Sequence, residues 1–311
     1  MACLGSRRVV EFGFDRQGAL AKERQEIRRG LARLQSVRAP PLRKGFLLEA
    51  YVSENDDSVQ PFWRYLPRNF TPTSSPPLLL YLHGYNPDFD LAAAPRVPDA
   101  FTNLAERTGA CMAAPFGRGN TDFQGIGEQD VLRVLDEMVS RYGVDRQRVV
   151  LAGTSMGGLG AWCIGARWAD RFNALLILCG RGDFYIWHDL SPSDLPPWQR
   201  GLVDAQFATK YIDRLLHTPI LASHGRYDYV VDFEQGIYLP RKLNEMGARN
   251  LRFLGFTYAD HDVFALTLMR AETQEFLEAG LTRVFVKPEP RSVGRPGTVG
   301  SRIQDALLEP F

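Results

Sequence analysis

Apolar residues recur along the chain at two spacings, and the switches between them mark out the elements. Residues 17–35 carry Leu20, Ile27, Leu31 and Leu34 at helical spacing among charged positions. That predicts an amphipathic helix, ended by Ala39-Pro40-Pro41. Two strand-like segments follow, Phe46–Ser53 and Pro61–Pro67, joined by the polar turn Glu54-Asn55-Asp56-Asp57-Ser58. This is the pattern of an antiparallel hairpin. Short apolar strands then alternate with helices. The strands are expected at Leu78–Leu82, Ala110–Ala114, Val149–Ala152, Ala174–Cys179, Ile220–Ser223 and Leu251–Phe256. The helices are expected at Asp99–Thr108, Glu128–Tyr142, Gly158–Trp168 and Ala265–Glu278. Such alternation specifies an α/β fold: a mostly parallel, doubly wound sheet with helices on both faces, here extended by an N-terminal antiparallel hairpin. Residues 180–218 break the rhythm with Trp187, Pro192, Pro196, Pro197 and Trp198, and read as a lid-like insert. The expected organisation is a helical extension over 1–45, a main domain over 46–286 and a Pro/Gly/Ser-rich tail over 287–311.

Charge changes this picture at one place. The 311 residues hold 37 Lys+Arg against 36 Asp+Glu, a net charge of +1. That balance gives no overall reason to expect nucleic acid or an anionic membrane as partner. Residues 1–45 nevertheless hold eleven Lys/Arg and four acids, a local +7 that leaves −6 for the remainder. The segment reads as a basic helix docked on an acidic body, or as a homodimer contact. An apolar content of 45% is too high for a disordered chain. No apolar run approaches the ~18 residues of a membrane span, and MACLGSRRVVEFGFDR lacks the apolar core of a signal peptide. The expectation is a cytoplasmic protein, or a secreted one if a leader precedes this sequence. Cys3, Cys111, Cys163 and Cys179 are widely spaced, with no C-x-x-C pair, so neither a zinc site nor a dense disulfide framework is expected. Cys111 and Cys179 lie in apolar runs and read as buried free thiols.

The chemistry concentrates in Gly153-Thr154-Ser155-Met156-Gly157-Gly158, a G-x-S-x-G between a predicted strand and a predicted helix. A serine on that sharp turn projects its hydroxyl above the sheet, and the glycines remove side chains that would clash there. The helix N-terminus faces developing negative charge. A serine nucleophile needs a base, and the base needs an orienting acid. Of five histidines, His261 follows the last strand in Tyr258-Ala259-Asp260-His261-Asp262, where a loop can carry an imidazole over the sheet edge. His83 and His224 end strands and read as turn residues that shape the site. His188 reads as a lid residue and His217 as a surface residue. Asp228 follows a strand and precedes His261, with Asp183 and Asp232 as runners-up for the acid. Tyr185, Trp187 and Trp198 either wall a pocket for an aromatic acyl group or pack the insert against the body. Arg118 and Arg181 either hold a substrate carboxylate or are solvated. The Gly-rich Phe116–Asp122 lacks the Lys-Ser/Thr of a phosphate loop.

Together, Leu80-Tyr81-Leu82-His83-Gly84-Tyr85, Gly153–Gly158, His224-Gly225-Arg226-Tyr227-Asp228 and the His261 loop resemble the α/β-hydrolase superfamily. Within it, the chain is similar to the prolyl-oligopeptidase-like esterases, near the esterase D and feruloyl esterase group. The resemblance spans residues 78 to 275. It implies that Ser155 attacks an acyl carbonyl, His261 is the base and Asp228 the acid. It also implies an oxyanion hole at the Met156 amide, with a second donor at Tyr85, and no cofactor or metal. His83 would line the substrate pocket with Arg118, Tyr185, Trp187 and Trp198. One departure is Asp260, where relatives often carry glycine; its carboxylate would favour a protonated imidazole and shift the pH optimum. The expected activity is hydrolysis of a small carboxylic ester through an acyl-enzyme, with feruloyl, aryl or short-chain acyl groups as candidates. Alternatives are a prolyl-oligopeptidase-like peptidase, an acyltransferase, or a non-catalytic binding protein of the same fold. The 77 residues before Leu78 are too few for a propeller.

Overall fold

The computed structural model describes residues 42–87 and 95–287, together with Gln25. The rest of the predicted helix over 17–35, the tail beyond 287, and Cys3 lie outside the described residues. The chain divides into two units, 1–43 and 44–311, and the account below concerns the second.

Eight strands form one sheet in the order β1-β2-β4-β3-β5-β6-β7-β8. The strands are β1 Gly45–Val52, β2 Val59–Leu66, β3 Leu78–Leu82, β4 Cys111–Pro115, β5 Val149–Thr154, β6 Ala174–Leu178, β7 Ile220–Gly225 and β8 Leu251–Phe256. β1 and β2 form the expected hairpin, and β2 pairs antiparallel with β4. Every later pairing is parallel, with β5 between β3 and β6. The fold is that of an α/β hydrolase.

The register explains why the central strands are apolar throughout. Leu78, Leu80 and Leu82 pair with Val149, Leu151 and Gly153, while Leu79 and Tyr81 pair with Val150 and Ala152. The first set faces one core and the second the other, because alternate residues of a strand point to opposite faces. Helices α1 Thr102–Thr108, α2 Ile126–Tyr142, α3 Met156–Arg167, α4 Phe184–His188, α5 Pro197–Gln206, α6 Phe233–Glu245, α7 Phe264–Leu268 and α8 Ala271–Thr282 accompany the sheet. α2, α3 and α6 pack on one face through Val131, Val134, Leu135, Met138, Leu159, Trp162, Leu239 and Leu243. α1, α7 and α8 cover the other through Leu104, Ala105, Leu268, Leu277 and Leu281. α3 is buried almost all round, as expected of a helix laid across the sheet centre.

Two helices differ from the sequence reading. α6 was not expected at all, since Pro240 inside it reads as a breaker. The single helix expected over Ala265–Glu278 is two, α7 and α8, because Arg270 turns extended between them. The 180–218 insert holds α4, α5 and a 3-10 helix over Ala208–Leu215. Cys111, Cys163 and Cys179 are buried free thiols, each pushed up to about 12 by burial. Among the described residues no helix is long and apolar enough to cross a membrane.

Candidate active site

The turn after β5 sets the geometry. Ser155 has φ 56°, a left-handed backbone that a serine adopts only under strain, at a cost of about 1–3 kcal/mol. The flanking glycines make this turn fit. A Cβ on Gly153 would stand 2.0 Å from the Gly157 carbonyl oxygen, and one on Gly157 would stand 2.1 Å from the Leu82 carbonyl oxygen. Backbone therefore packs against backbone on both sides of the serine. Ser155 is held by its amide, which donates to Leu178 O at 2.8 Å. Met156 opens α3, so its amide has no intrahelical acceptor.

The structure brings Ser155, Asp228 and His261 together. His261 Nε2 lies 2.8 Å from Ser155 Oγ, and its Nδ1 lies 2.7 Å from Asp228 Oδ2. A carboxylate only accepts, so in the neutral ring the proton sits on Nδ1. The Nε2 lone pair then faces the serine hydroxyl. Asp228 is wholly buried at its carboxylate, and His261 is partly exposed. The Val230 and Val231 amides donate to Asp228 Oδ1 at 2.9 and 2.8 Å. Asp260, expected to disturb the imidazole, is exposed, and its Oδ1 accepts the Asp262 amide. The runners-up for the acid are both helix caps. Asp183 accepts the Tyr185 and Ile186 amides at the start of α4, and Asp232 accepts the Glu234 amide at the start of α6.

The remaining candidates fall in three places. His83 is buried beneath the site, with its ring nitrogens 2.8 Å from Gly84 O and 3.1 Å from Phe116 O. It braces the β3 and β4 loops and is not a pocket-lining group; burial pushes its pKa down. Arg118 is neither a substrate cation nor solvated. It binds Asp130, Asp56, Ser53 and Ser58 at 2.6–3.0 Å beside the hairpin turn. Arg181 is likewise engaged, pairing with Asp122 and stacking 4.6 Å above the Trp187 ring. Within the insert, Tyr185 donates its hydroxyl to Asp204 at 2.7 Å, which fixes α4 to α5.

Tyr85, Trp187, Trp198, Tyr227, Tyr229 and Tyr258 are the exposed aromatic residues among those described. Each stands in a segment that leaves the carboxyl end of a strand, after β3, β6, β7 or β8. That is the edge on which Ser155 sits. Tyr227, Tyr229 and Tyr258 were not singled out from the sequence, although their positions next to Asp228 and His261 were the available signal. Another omission was the contact of His224 with Asp228, whose Nε2 lies 3.1 Å from Asp228 Oδ2. Among the described residues, no group of three or more His, Cys, Asp or Glu is placed to hold a metal ion. A surface cavity of about 370 Å³ lies elsewhere, between Lys210 and Lys242.

Comparison with known proteins adds three kinds of likeness. The model of the prolyl oligopeptidase family matches residues 117–279. A bifunctional acetylxylan esterase/xylanase, XynS20E of Neocallimastix patriciarum, is 38% identical over 104 residues. That match covers 30% of this chain and 14% of the relative, so the chain spans a small part of that protein. Among solved structures, a thermostable esterase superposes with TM-score 0.60 at 21% identity, covering 75% of this chain and 62% of the other. An S-formylglutathione hydrolase from Agrobacterium tumefaciens superposes with TM-score 0.56 at 18% identity, covering 77% and 95%. Likeness at that identity speaks for the fold alone.

Proposed function

The chain belongs to the prolyl oligopeptidase family, and from that premise we propose that it is a serine hydrolase cleaving a small carboxylic ester through an acyl-enzyme. The observation that carries the reading is the unbroken line from Ser155 Oγ through His261 to the buried Asp228, with spacings of 2.8 and 2.7 Å. In this reading His261 Nε2 takes the Ser155 proton as Oγ bonds to the acyl carbon. The negative charge that develops on the carbonyl oxygen is met by the Met156 amide at the head of α3, with a second donor from the Tyr85 region. His261 then gives its proton to the departing alcohol. Water repeats the sequence to release the acid. Asp228 holds the imidazole in the productive tautomer and stabilises it when charged.

Ester is preferred to peptide for two reasons. The 38%-identical relative carries an acetylxylan esterase/xylanase name. The exposed Tyr85, Tyr227, Tyr229 and Tyr258, each within a few residues of the end of β3, β7 or β8, suit a neutral or aromatic substrate held by stacking. Feruloyl, aryl and short-chain acyl esters all fit that description. The family name keeps the peptidase reading as the second choice. The test is a panel of p-nitrophenyl and aryl esters of varied acyl length, run beside matched proline-containing amides. Turnover of esters that vanishes in Ser155→Ala supports the proposal. Amides that outpace matched esters, after correction for intrinsic reactivity, overturn it in favour of a peptidase.

A further inference from the structure

Asp228 meets a second histidine that the proposed reaction does not use. Oδ2 accepts from His261 Nδ1 at 2.7 Å, and His224 Nε2 stands 3.1 Å from the same oxygen while giving its N–H to Val231 O at 2.8 Å. Oδ1 receives the Val230 and Val231 amides. Three donors thus bind the carboxylate, with His224 as a fourth close neighbour, and the charge stays wholly buried. Three of the four neighbours are neutral and immobile: two backbone amides and a ring with no exposed surface.

The state of His224 follows from its surroundings. Its Nε2 faces two oxygens that cannot donate, Val231 O at 2.8 Å and Asp228 Oδ2 at 3.1 Å, so Nε2 carries the proton. Its Nδ1 is buried with no hydrogen-bond partner. α6 closes over that atom: a Cβ on Gly236 would stand 2.2 Å from Nδ1. There is neither room nor an acceptor for a second proton, and burial pushes the imidazole pKa down. The ring also stands edge-on to Phe233 at 6.0 Å between centroids. His224 is therefore a fixed neutral donor to the loop carbonyl of Val231, with the carboxylate beside it.

We propose that His224 is a positioning residue for catalysis: its Nε2–H holds the Val231 carbonyl and so fixes the 228–231 loop, whose Val230 and Val231 amides aim Asp228 at His261. The inference rests on the reading of Ser155, His261 and Asp228 given above. Without the His224 hydrogen bond, the loop and the carboxylate it holds are free to shift, and His261 Nε2 is displaced from Ser155 Oγ.

Two variants separate positioning from packing. His224→Gln keeps an amide N–H at the same reach from the backbone, while His224→Leu removes every donor. The expected result for His224→Leu is a fall in kcat of about 10-fold, the upper end of what one neutral hydrogen bond is worth. KM is unchanged, because no substrate contact is lost. His224→Gln recovers most of kcat. The proton between His261 Nδ1 and Asp228, read by low-field NMR, moves upfield in the Leu variant as the misaligned bond weakens, and returns toward its wild-type position in the Gln variant. A His224→Leu variant with wild-type kcat overturns the proposal. So does a Gln variant as slow as Leu, since that marks a packing role, and thermal melts of both variants show the packing loss directly. Labelling of the wild type by a fluorophosphonate probe is run first. Failure to label Ser155 removes the hydrolase reading and this inference together, whereas normal labelling with unchanged His224 variants removes this inference alone.

Discussion

Two polar clusters sit near the carboxyl edge of the sheet, one around Asp228 and one around Arg118, and they are built on opposite plans. Asp228 is a lone buried charge surrounded by neutral donors, with one of those donors, His261, partly open to solvent. Arg118 is a partly buried cation closed on itself by two carboxylates, Asp56 and Asp130, and two serine hydroxyls. The first arrangement keeps a charge available to a group that can gain and lose a proton. In the second, every guanidinium nitrogen is taken by the cluster's own acceptors, and no donor is left for a ligand. Both are well satisfied, so satisfaction alone does not mark a functional cluster. The mark is an acceptor whose donor also faces outward, as His261 faces Ser155.

The largest expected effects fall on the Asp228 side. Ser155→Ala should lower kcat toward the uncatalysed rate, a loss of about 10⁶-fold where nucleophile and base act as a unit. Unchanged turnover of p-nitrophenyl esters would end the assignment. Asp228→Asn should cost about 10⁴-fold in kcat while the fold persists. The local reason is specific. The Val230 and Val231 amides require an oxygen at the Oδ1 position, so the new amide nitrogen must face His261 and His224. It would then donate to His261 Nδ1, leave the proton on Nε2 and deprive Ser155 of its base. A loss of only a few-fold would show that the carboxylate is dispensable and blur the contrast with Arg118.

Most of the first cluster was legible in the sequence, and almost none of the second was. Ser155 announces itself because the strained turn needs glycines at 153 and 157, and those lie two residues away on either side. Asp228 and His261 each follow a strand by a short loop, so strand order alone brings them to the same edge. The partners of Arg118 stand 62 and 12 residues away, in the hairpin turn and in α2, and no local pattern ties them to it. The same limit hid the role of His224, whose turn position was clear but whose partner depends on how the 228–231 loop folds back. Among the elements, the strands were found by their apolar runs. α6 was missed because Pro240 carries the local signal of a break, while Leu239 and Leu243 gain their stability from burial against the sheet.

Arg118 should respond in stability. Arg118→Met leaves Asp130, nearly buried, without its cation. Losing one partner of a buried pair costs about 3–5 kcal/mol, read as a shift in the urea midpoint. The kcat of the folded variant should match wild type. A selective rise in KM for esters bearing a carboxylate would break the comparison, because it would make Arg118 a ligand group after all.

The smallest effect belongs to Asp56, on the exposed side of the same cluster. The hydrogen bond from Arg118, and then that of Ser58, holds its carboxyl well below the usual carboxylate range. A carboxyl depressed on folding adds stability above its unfolded pKa of about 3.9, and that stability is lost as pH falls through this value toward the lower folded one. Asp56 is exposed, so solvent screens the pair and keeps the contribution small at every pH. Asp56→Asn should therefore be slightly less stable than wild type at neutral pH, with the two converging as urea midpoints are taken below about pH 4. Salt should narrow the gap at neutral pH for the same reason. A gap that stays constant with pH and salt would mean that Asp56 acts through hydrogen-bond geometry, and the ion-pair description of the Arg118 cluster would then rest on Asp130 alone.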